Sequence, residues 1–325
     1  MIKHFLTLVF LLYFLAACSG GNAPITATLP QVPTVVPASR PTETPAPASD
    51  TPLPDAATSL PPASATPLPT PTATLAPDAW MQMPVIPAGV SARVRAVYVQ
   101  GLASGNNSNV FSKIGDCDTS TTWFLNDFDL GPKYYSLGTF TDLQPVIAQF
   151  RGSFSREPIA ARKGFVAASV LSPIWSDPAK CQVKETPLAC EVRLNHPSFA
   201  FIMLGTNDYN HRQEFEPNMR KILDFLIAQG VVPILATKAD NMEGDYSINA
   251  TIASLAYEYE LPLWNFWRAV QPLPDHGLQA QDKTHLTFAQ NYFDDPLRMR
   301  KAWPWRNLTA LQTLNTVWRG VTAQP

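Results

Sequence analysis

The sequence predicts an α/β fold in which helices cover both faces of a parallel sheet. Two continuous apolar runs, at residues 199–204 and 231–236, are typical of strands that are buried on both faces. Between them, residues 214–229 place large apolar side chains at helical spacing, at Met219, Ile222, Leu223, Phe225 and Leu226. Strands and helices that alternate in this way indicate a three-layer domain.

The other elements follow from the same patterns. We predict strands at residues 110–114 and 261–266, and helices at residues 92–104, 143–150, 165–171, 247–260 and 308–317. The folded domain then spans residues 79–325, a normal length for one α/β domain.

The first seventeen residues have the pattern of an export signal. Lys3 and His4 precede an apolar run over residues 5–16, and the run ends in Leu15-Ala16-Ala17-Cys18. This ending resembles a bacterial lipobox, in which the cysteine is acylated and becomes the new N-terminus. We therefore expect an exported lipoprotein, anchored through Cys18 on the extracytoplasmic side of the membrane. An ordinary secretory signal that ends at a cysteine is the alternative.

Residues 18–78 have the composition of a linker. Residues 24–77 contain 15 prolines and only four charged residues, Arg40, Glu43, Asp50 and Asp55. Proline fixes φ and removes a backbone donor, so this stretch does not build a packed core. We predict a disordered Pro/Thr/Ala-rich spacer between the anchor and the domain.

The charge balance excludes one class of partner. The formal net charge is −2 over 325 residues, without the clustered excess of Lys and Arg that nucleic-acid binding needs. We expect neither a metal nor an organic cofactor.

Three polar segments follow predicted strands, where the chemistry of parallel sheets is found. They are Gly115-Asp116-Cys117-Asp118-Thr119, Gly205-Thr206-Asn207-Asp208 and the late loop Gln281-Asp282-Lys283-Thr284-His285. The GTND segment and the D-x-x-H loop resemble blocks III and V of the SGNH (GDSL-type) hydrolases, in the family's order. The resemblance implies that family's three-layer, flavodoxin-like fold and an activity on ester bonds.

The resemblance also implies residue roles. His285 would be the general base, Asp282 its orienting carboxylate and Asn207 an oxyanion-hole donor. The second block of the family contributes a glycine N–H to the same hole. Gly164 is our candidate, because we expect it to open a helix, and Gly152 is the alternative.

The first block departs from the family, because Cys117 stands where Gly-Asp-Ser has its serine. A thiol can attack an acyl carbonyl with the same histidine as base, and its backbone N–H would serve the oxyanion hole. The flanking Asp116 and Asp118 would raise the thiol pKa and reduce its reactivity. An inactive domain and a nucleophile at Ser112 or Ser120 are the alternatives.

The remaining cysteines have a simpler interpretation. Cys181 and Cys190 lie nine residues apart in a chain that we expect to be exported, so we predict a disulfide. A metal site there is poorly supported, because only His196 lies near. Cys117 is then the odd thiol.

Two functions remain open from the sequence. The first is hydrolysis of acyl or acetyl esters of glycans or lipids at the cell envelope, and the second is binding of a glycan or acyl group without catalysis. Four tryptophan side chains could line a sugar site, although ordinary core or rim packing is the favoured interpretation: Trp123, Trp175, Trp303 and Trp305.

Overall fold

The computed structural model describes residues 75–323. The expected signal, the lipidation site Cys18 and nearly all of the predicted linker lie outside this range. Among the described helices, none is long and apolar enough to cross a bilayer.

A four-stranded parallel sheet forms the centre of the domain. Its strands stand in the order β1-β3-β4-β5, and two further strands, β2 and β6, pair in parallel on their own. The bounds are β1 Asn107–Gly115, β2 Tyr135–Ser136, β3 Pro197–Met203, β4 Val232–Ala236, β5 Leu263–Trp264 and β6 Asn291–Tyr292.

A short fifth segment extends this sheet beyond β1. Gly115 donates its N–H to Ala160 O and accepts from Arg162 N, which pairs Ala161 with Gly115 on the side of β1 away from β3. This segment is not β2, but it is the second strand of this sheet along the chain. Numbered by their order along the chain, the five strands of the sheet therefore lie in the spatial order 2-1-3-4-5, in which 1, 3, 4 and 5 are β1, β3, β4 and β5. That is the flavodoxin-like order, whose ligand crevice lies beyond the ends of the first and third strands.

Helices cover both faces of the sheet. Neighbouring residues of β1 show this, because Phe111 packs against Phe150 while Ser112 bonds Glu191 of the opposite layer. The helices are α1 Ala92–Ala103, α2 Cys117–Ser120, α3 Asp127–Leu130, α4 Gln144–Gln149, α5 Pro187–Asn195, α6 Arg212–Ala228, α7 Ser247–Glu258, α8 Phe266–Val270 and α9 Ala302–Thr322. Helices α1, α4 and α9 contact one another on one face, and α5, α6 and α7 lie on the other. The predicted three-layer α/β class is confirmed.

Short 3₁₀ turns connect these elements. They are Ala79–Gln82, Thr141–Leu143, Ser169–Leu171, Pro173–Trp175, Asn207–Asn210, Pro274–Gly277 and Arg298–Arg300.

The core is continuous and rich in aromatic side chains. All seven residues of β3 are buried, as the apolar run predicts. Phe199 stacks on Tyr98 of α1, and Phe201 meets Trp264 of β5 edge to face. Such packing holds the strand ends, and the polar loops that follow them, in fixed positions.

Two parts of the chain depart from the predicted elements. Residues 165–171 form turns and a 3₁₀ helix, so the helix that we predict there is wrong. The sequence patterns also miss α5, which contains Cys190 within the stretch interpreted as loop. The other predicted helices and strands are present with shifted ends.

Candidate functional site

The carboxyl ends of the strands bring the predicted polar segments to one edge of the sheet. Gly115 of β1 pairs with Met203 of β3, so Cys117 and Asn207 follow neighbouring strand ends. β4 pairs with both β3 and β5, which puts residues 237–240 at the same edge. This edge is where ligand sites of open α/β sheets lie.

The turn that carries Cys117 depends on the glycine before it. A Cβ on Gly115 would lie 2.2 Å from Thr119 Oγ1 and 2.6 Å from Met203 O, so only glycine fits. Asp116 then caps α2, because its Oδ1 accepts from Asp118 N at 3.2 Å. Cys117 is the first residue of α2 and is half-buried.

The surroundings of the thiol oppose its ionisation. Burial and the carboxylates of Asp116 and Asp118 raise the pKa of Cys117 to about 12. Burial also raises the pKa of Asp116 to about 8, and Asp118 contributes to that shift. The free protein therefore holds Cys117 as a neutral thiol at neutral pH.

The predicted acid–histidine pair is formed. Asp282 Oδ2 lies 2.7 Å from His285 Nδ1, while Asp282 Oδ1 accepts from Thr284 N at 2.9 Å and from His285 N at 3.0 Å. These backbone and side-chain hydrogen bonds lower the pKa of Asp282 to about 2. The imidazole is thus oriented by its Nδ1, which leaves Nε2 for a proton transfer.

The histidine and the thiol are not joined directly. Across residues 75–323, no hydrogen bond links Cys117 Sγ to His285, whose side chain is about half exposed. Burial raises the pKa of the neighbouring Asp118, and attraction to Arg306 and, to a smaller extent, to His285 partly offsets this rise. The structure therefore brings the predicted catalytic residues to one edge without a thiol–imidazole contact.

Asn207 and Asp208 tie the third block to the segment after Gly164. Asn207 Nδ2 donates to Phe165 O at 3.0 Å, and Asp208 Oδ1 accepts from Ala167 N at 2.9 Å. Burial raises the pKa of Asp208 to about 6, and its other oxygen is buried without a partner. The Asn207 amide proposed for the oxyanion hole is thus hydrogen-bonded to the protein itself.

The predicted setting of Gly164 is wrong. This glycine opens no helix, but lies in an exposed turn with φ of +83°. Asn207 takes the Phe165 carbonyl, which a helix beginning here would use, and Asp208 accepts from the Ala167 N–H. For the alternative, Gly152, the N–H is bound to Asp129 Oδ1 at 2.8 Å.

Sequence patterns missed a buried charge cluster behind this edge. Arg306 of α9 lies among four aromatic rings, at 5.1–5.7 Å from its guanidinium carbon, and its Nε has no hydrogen-bond partner. It lines a cavity of about 20 Å³, enough for roughly one water molecule, with Asp116, Asp118 and Asp240. Lys238 bonds Asp240 Oδ1 at 2.7 Å.

A signal for part of this cluster exists in the sequence. Lys238 and Asp240 directly follow β4, so the rule that selects residues after strands would have found them. Nothing in the local pattern of α9 singles out Arg306.

The alternative serines lie in different settings. Ser112 is fully buried and donates to Glu191 Oε1 at 2.7 Å, so it faces the helix layer rather than the sheet edge. Ser120 Oγ is half-buried and donates to Cys117 O at 3.3 Å.

The tryptophans divide into core and surface residues. Trp303 is 1% exposed and belongs to the core, and Trp305 Nε1 donates to Met299 O. Trp123 and Trp175 are each 48% exposed. Trp123 packs against Phe288, three residues after His285, with ring centroids 4.6 Å apart.

Cys181 and Cys190 form the predicted disulfide, with Cα atoms 5.3 Å apart. Glu185 lies close enough to form a three-residue metal cluster with them, but both sulfurs are used by the bridge. This cluster is therefore structural.

Comparisons with known proteins show a likeness in structure but none in sequence. No protein-family model matches the chain, and no curated protein matches it. The chain is similar to a crystal structure of a GDSL-like lipase from Bacteroides thetaiotaomicron, at 14% identity and a TM-score of 0.38. That match covers 68% of this chain and 97% of the lipase chain. The functional proposal therefore depends on the residues and geometry of this chain.

Proposed function

We propose that the domain hydrolyses ester bonds, with Cys117 as nucleophile and His285 and Asp282 as its base and orienting acid. The observation that carries this proposal is the 2.7 Å bond from Asp282 to His285 Nδ1, at the sheet edge where β1 presents Cys117. This arrangement agrees with the SGNH resemblance of the GTND and D-x-x-H segments.

The reaction would run in two balanced steps. His285 takes the thiol proton as Cys117 Sγ attacks the ester carbonyl, and the alcohol leaves with that proton, which gives a thioester on Cys117. Water then attacks the thioester with His285 as base, releasing the acid and restoring the thiol. Because the free thiol has a raised pKa, its proton must move during the attack rather than before it.

The oxyanion hole of this proposal uses the N–H of Cys117 and the amide of Asn207. Gly164 enters only if its exposed turn moves on binding. Asn207 would have to exchange its bond to Phe165 O for one to the substrate.

A second candidate function is binding without hydrolysis. Two observations favour it: the raised pKa of Cys117 and the Asn207 amide that is already bound to Phe165 O. The same edge would then hold a glycan or acyl group without forming a thioester.

We also propose that the protein acts outside the cytoplasm, anchored by acylated Cys18. The lipobox-like ending of residues 15–18 and the proline-rich residues 18–78 support an anchor followed by a spacer. Substrates would then be esters on glycans or lipids of the cell envelope.

Short-chain aryl esters and acetylated sugars test the activity directly. We expect hydrolysis by the purified protein and a loss of about 10³-fold or more in Cys117→Ala and His285→Asn. His276→Asn is the matched control, because His276 is exposed and bonds only Gln271 O. Asn207→Ala should cost about 10²–10³-fold.

Cys117→Ser separates the two candidate functions. Activity that appears only in this variant would identify a domain that binds but does not hydrolyse. Full activity in Cys117→Ala would show that another group is the nucleophile.

A further inference from the structure

A second groove opens beside the Cys117 turn, and the proposed reaction does not use it. We name it the basic groove, and it is lined by Ser120, Glu157, Pro158, Ile159, Ala161, Arg162, Lys163, Trp175, Asp177 and Lys180. Its volume is about 260 Å³, slightly below the usual range for ligand pockets. That space suits one sugar ring better than a long acyl chain.

The basic groove carries one positive charge in excess. Of its three cations, Lys180 is paired with Glu157 at 3.5 Å and Asp177 at 3.8 Å. Arg162 and Lys163 are exposed, and within the described residues no carboxylate lies within 4 Å of either. Both cations therefore remain available to a ligand.

Trp175 supplies an apolar face to the same groove. Its side chain is 48% exposed, and its ring meets Phe165 edge to face at 6.1 Å. The indole is thus held by its packing while one surface stays open. An exposed aromatic face beside cations without a carboxylate partner suits a sugar ring that packs its C–H face on the indole and bears an acid group.

The wall that carries Trp175 and Lys180 is braced. Cys181 is bonded to Cys190 of α5, and Arg193 of the same helix donates to both oxygens of Glu185, at 2.7 and 2.8 Å. Arg193 also donates to Lys180 O at 3.2 Å. The disulfide loop therefore positions one wall of the basic groove.

The opposite wall connects the basic groove to Cys117. Ala161 pairs with Gly115 at the end of β1, and Arg162 N donates to Gly115 O at 3.2 Å. Ser120, at the end of α2, lines the groove and bonds Cys117 O. A ligand in the basic groove thus lies alongside the turn that carries the thiol.

We infer that the basic groove binds a carboxylate-bearing sugar unit of a glycan, with the ring on Trp175 and the carboxylate on Arg162 and Lys163. The single excess positive charge matches one carboxylate better than a doubly charged phosphate. This assignment rests on the proposed function in one respect: the ester to be cleaved would be carried by that acidic glycan, at Cys117.

Calorimetric titration of the purified full-length protein tests the inference. We expect trigalacturonate to bind, the neutral galactotriose to bind at least tenfold more weakly, and binding to fall in high salt. The paired change Arg162→Gln/Lys163→Gln should weaken trigalacturonate binding about tenfold, because it removes both cations that have no carboxylate partner.

A matched control is available in the chain itself. Arg300 and Lys301 form another exposed Arg-Lys pair, far along the chain from the groove, and Arg300→Gln/Lys301→Gln should leave binding unchanged. Trp175→Ala should weaken trigalacturonate several-fold through lost ring contact.

The outcomes separate this inference from the proposed function. Binding of trigalacturonate without any esterase activity supports the groove and removes the proposed hydrolysis. Hydrolysis of p-nitrophenyl acetate without trigalacturonate binding overturns the groove assignment alone. An equal loss of trigalacturonate affinity in the two Arg-Lys variants also overturns the groove assignment. Tighter binding of galactose 6-phosphate than of galacturonate does the same.

Discussion

Cys117 is held in a setting that opposes ionisation of its thiol. Burial and the carboxyl groups of Asp116 and Asp118 raise the pKa of its thiol, and the positive charge of Arg306 only partly compensates them. A reactive cysteine usually has the opposite surroundings, with a positive charge or an ion pair that lowers its pKa. The thiol chemistry of this protein should therefore differ from that of a cysteine protease.

Alkylation by iodoacetamide should reveal this difference. At pH 8 iodoacetamide should modify Cys117 at least tenfold more slowly in the native protein than in the unfolded chain, because only the thiolate reacts. The rate should climb with pH beyond 9, and peptide mass spectrometry can follow Cys117 separately from the other cysteines. Asp118→Asn should speed the reaction, whereas Asp142→Asn, an exposed change elsewhere, should not. Fast alkylation of the native protein at pH 7 would contradict the raised pKa.

Asp116 should make the stability of the domain depend on pH. Burial raises its pKa from the ordinary 3.8 to about 8, so the folded state favours the protonated carboxyl. The contribution of Asp116 to the free energy of unfolding is fully present below about pH 4 and is lost as the pH rises through 8. Asp116→Asn keeps the side chain neutral at every pH, so its free energy of unfolding should fall less between pH 5 and pH 8 than that of the natural protein.

Urea unfolding at the two pH values measures this effect. The difference in the free energy of unfolding between variant and natural protein should change by up to about 4 kcal/mol between the two pH values, with the variant gaining at pH 8. If the free energy of unfolding changed equally with pH in the two proteins, Asp116 would be ionised in the folded protein.

At the scale of elements, local patterns predicted most of the helices. Tertiary hydrogen bonds explain why the helix predicted at residues 165–171 is absent. Residues 165–171 contain helix-compatible side chains, but Asn207 takes Phe165 O and Asp208 takes Ala167 N. These partners lie about forty residues away, so no local window of sequence contains the information.

Helix α5 could have been predicted. Thr186 caps it, with Oγ1 accepting from Ala189 N at 3.1 Å, and Pro187 occupies its first position. Thr-Pro before an apolar residue is a recognised start signal. The sequence between the two cysteines was interpreted as a disulfide loop, whereas Cys190 lies within α5.

The disulfide should stabilise the domain through this element. A bridge that closes so short a loop contributes about 2–3 kcal/mol in the chain-entropy model. Cys181→Ser/Cys190→Ser should lower the free energy of unfolding by that order in urea titrations. Lys180 and Trp175 lie on the braced wall, so the same variant should also bind trigalacturonate more weakly. Unchanged stability would mean that Arg193 and Glu185 hold the wall without the bridge.

At the scale of the whole molecule, the sequence predicted at which edge of the sheet the candidate site lies, but not the distances between its residues. The edge was predictable because apolar strands end where polar segments begin, and parallel strands end together. Cys117 and Asn207 follow two of those ends, whereas Asp282 and His285 lie in a loop beyond α8. Distances between them were not predictable, because they depend on loop conformations, such as the positive φ of Lys283 between Asp282 and His285. Arg306 was unpredictable because its role depends on four aromatic rings from several elements.

Attachment to the membrane is a property of the whole chain, and residues 15–18 predict it. An apolar run that ends in Leu-Ala-Ala-Cys should be cleaved before Cys18, and the acylated cysteine should hold the protein on the membrane. Cys18→Ala removes the acylation site while leaving the apolar run unchanged. We expect this variant to leave the membrane fraction or to accumulate as uncleaved precursor, with mass spectrometry of the natural protein showing lipid on Cys18. Ser19→Ala is the matched control and should stay at the membrane. A cleaved Cys18→Ala protein that remains in the membrane fraction would contradict the lipid anchor, and it would require the hold on the membrane to come from the proline-rich spacer or the domain.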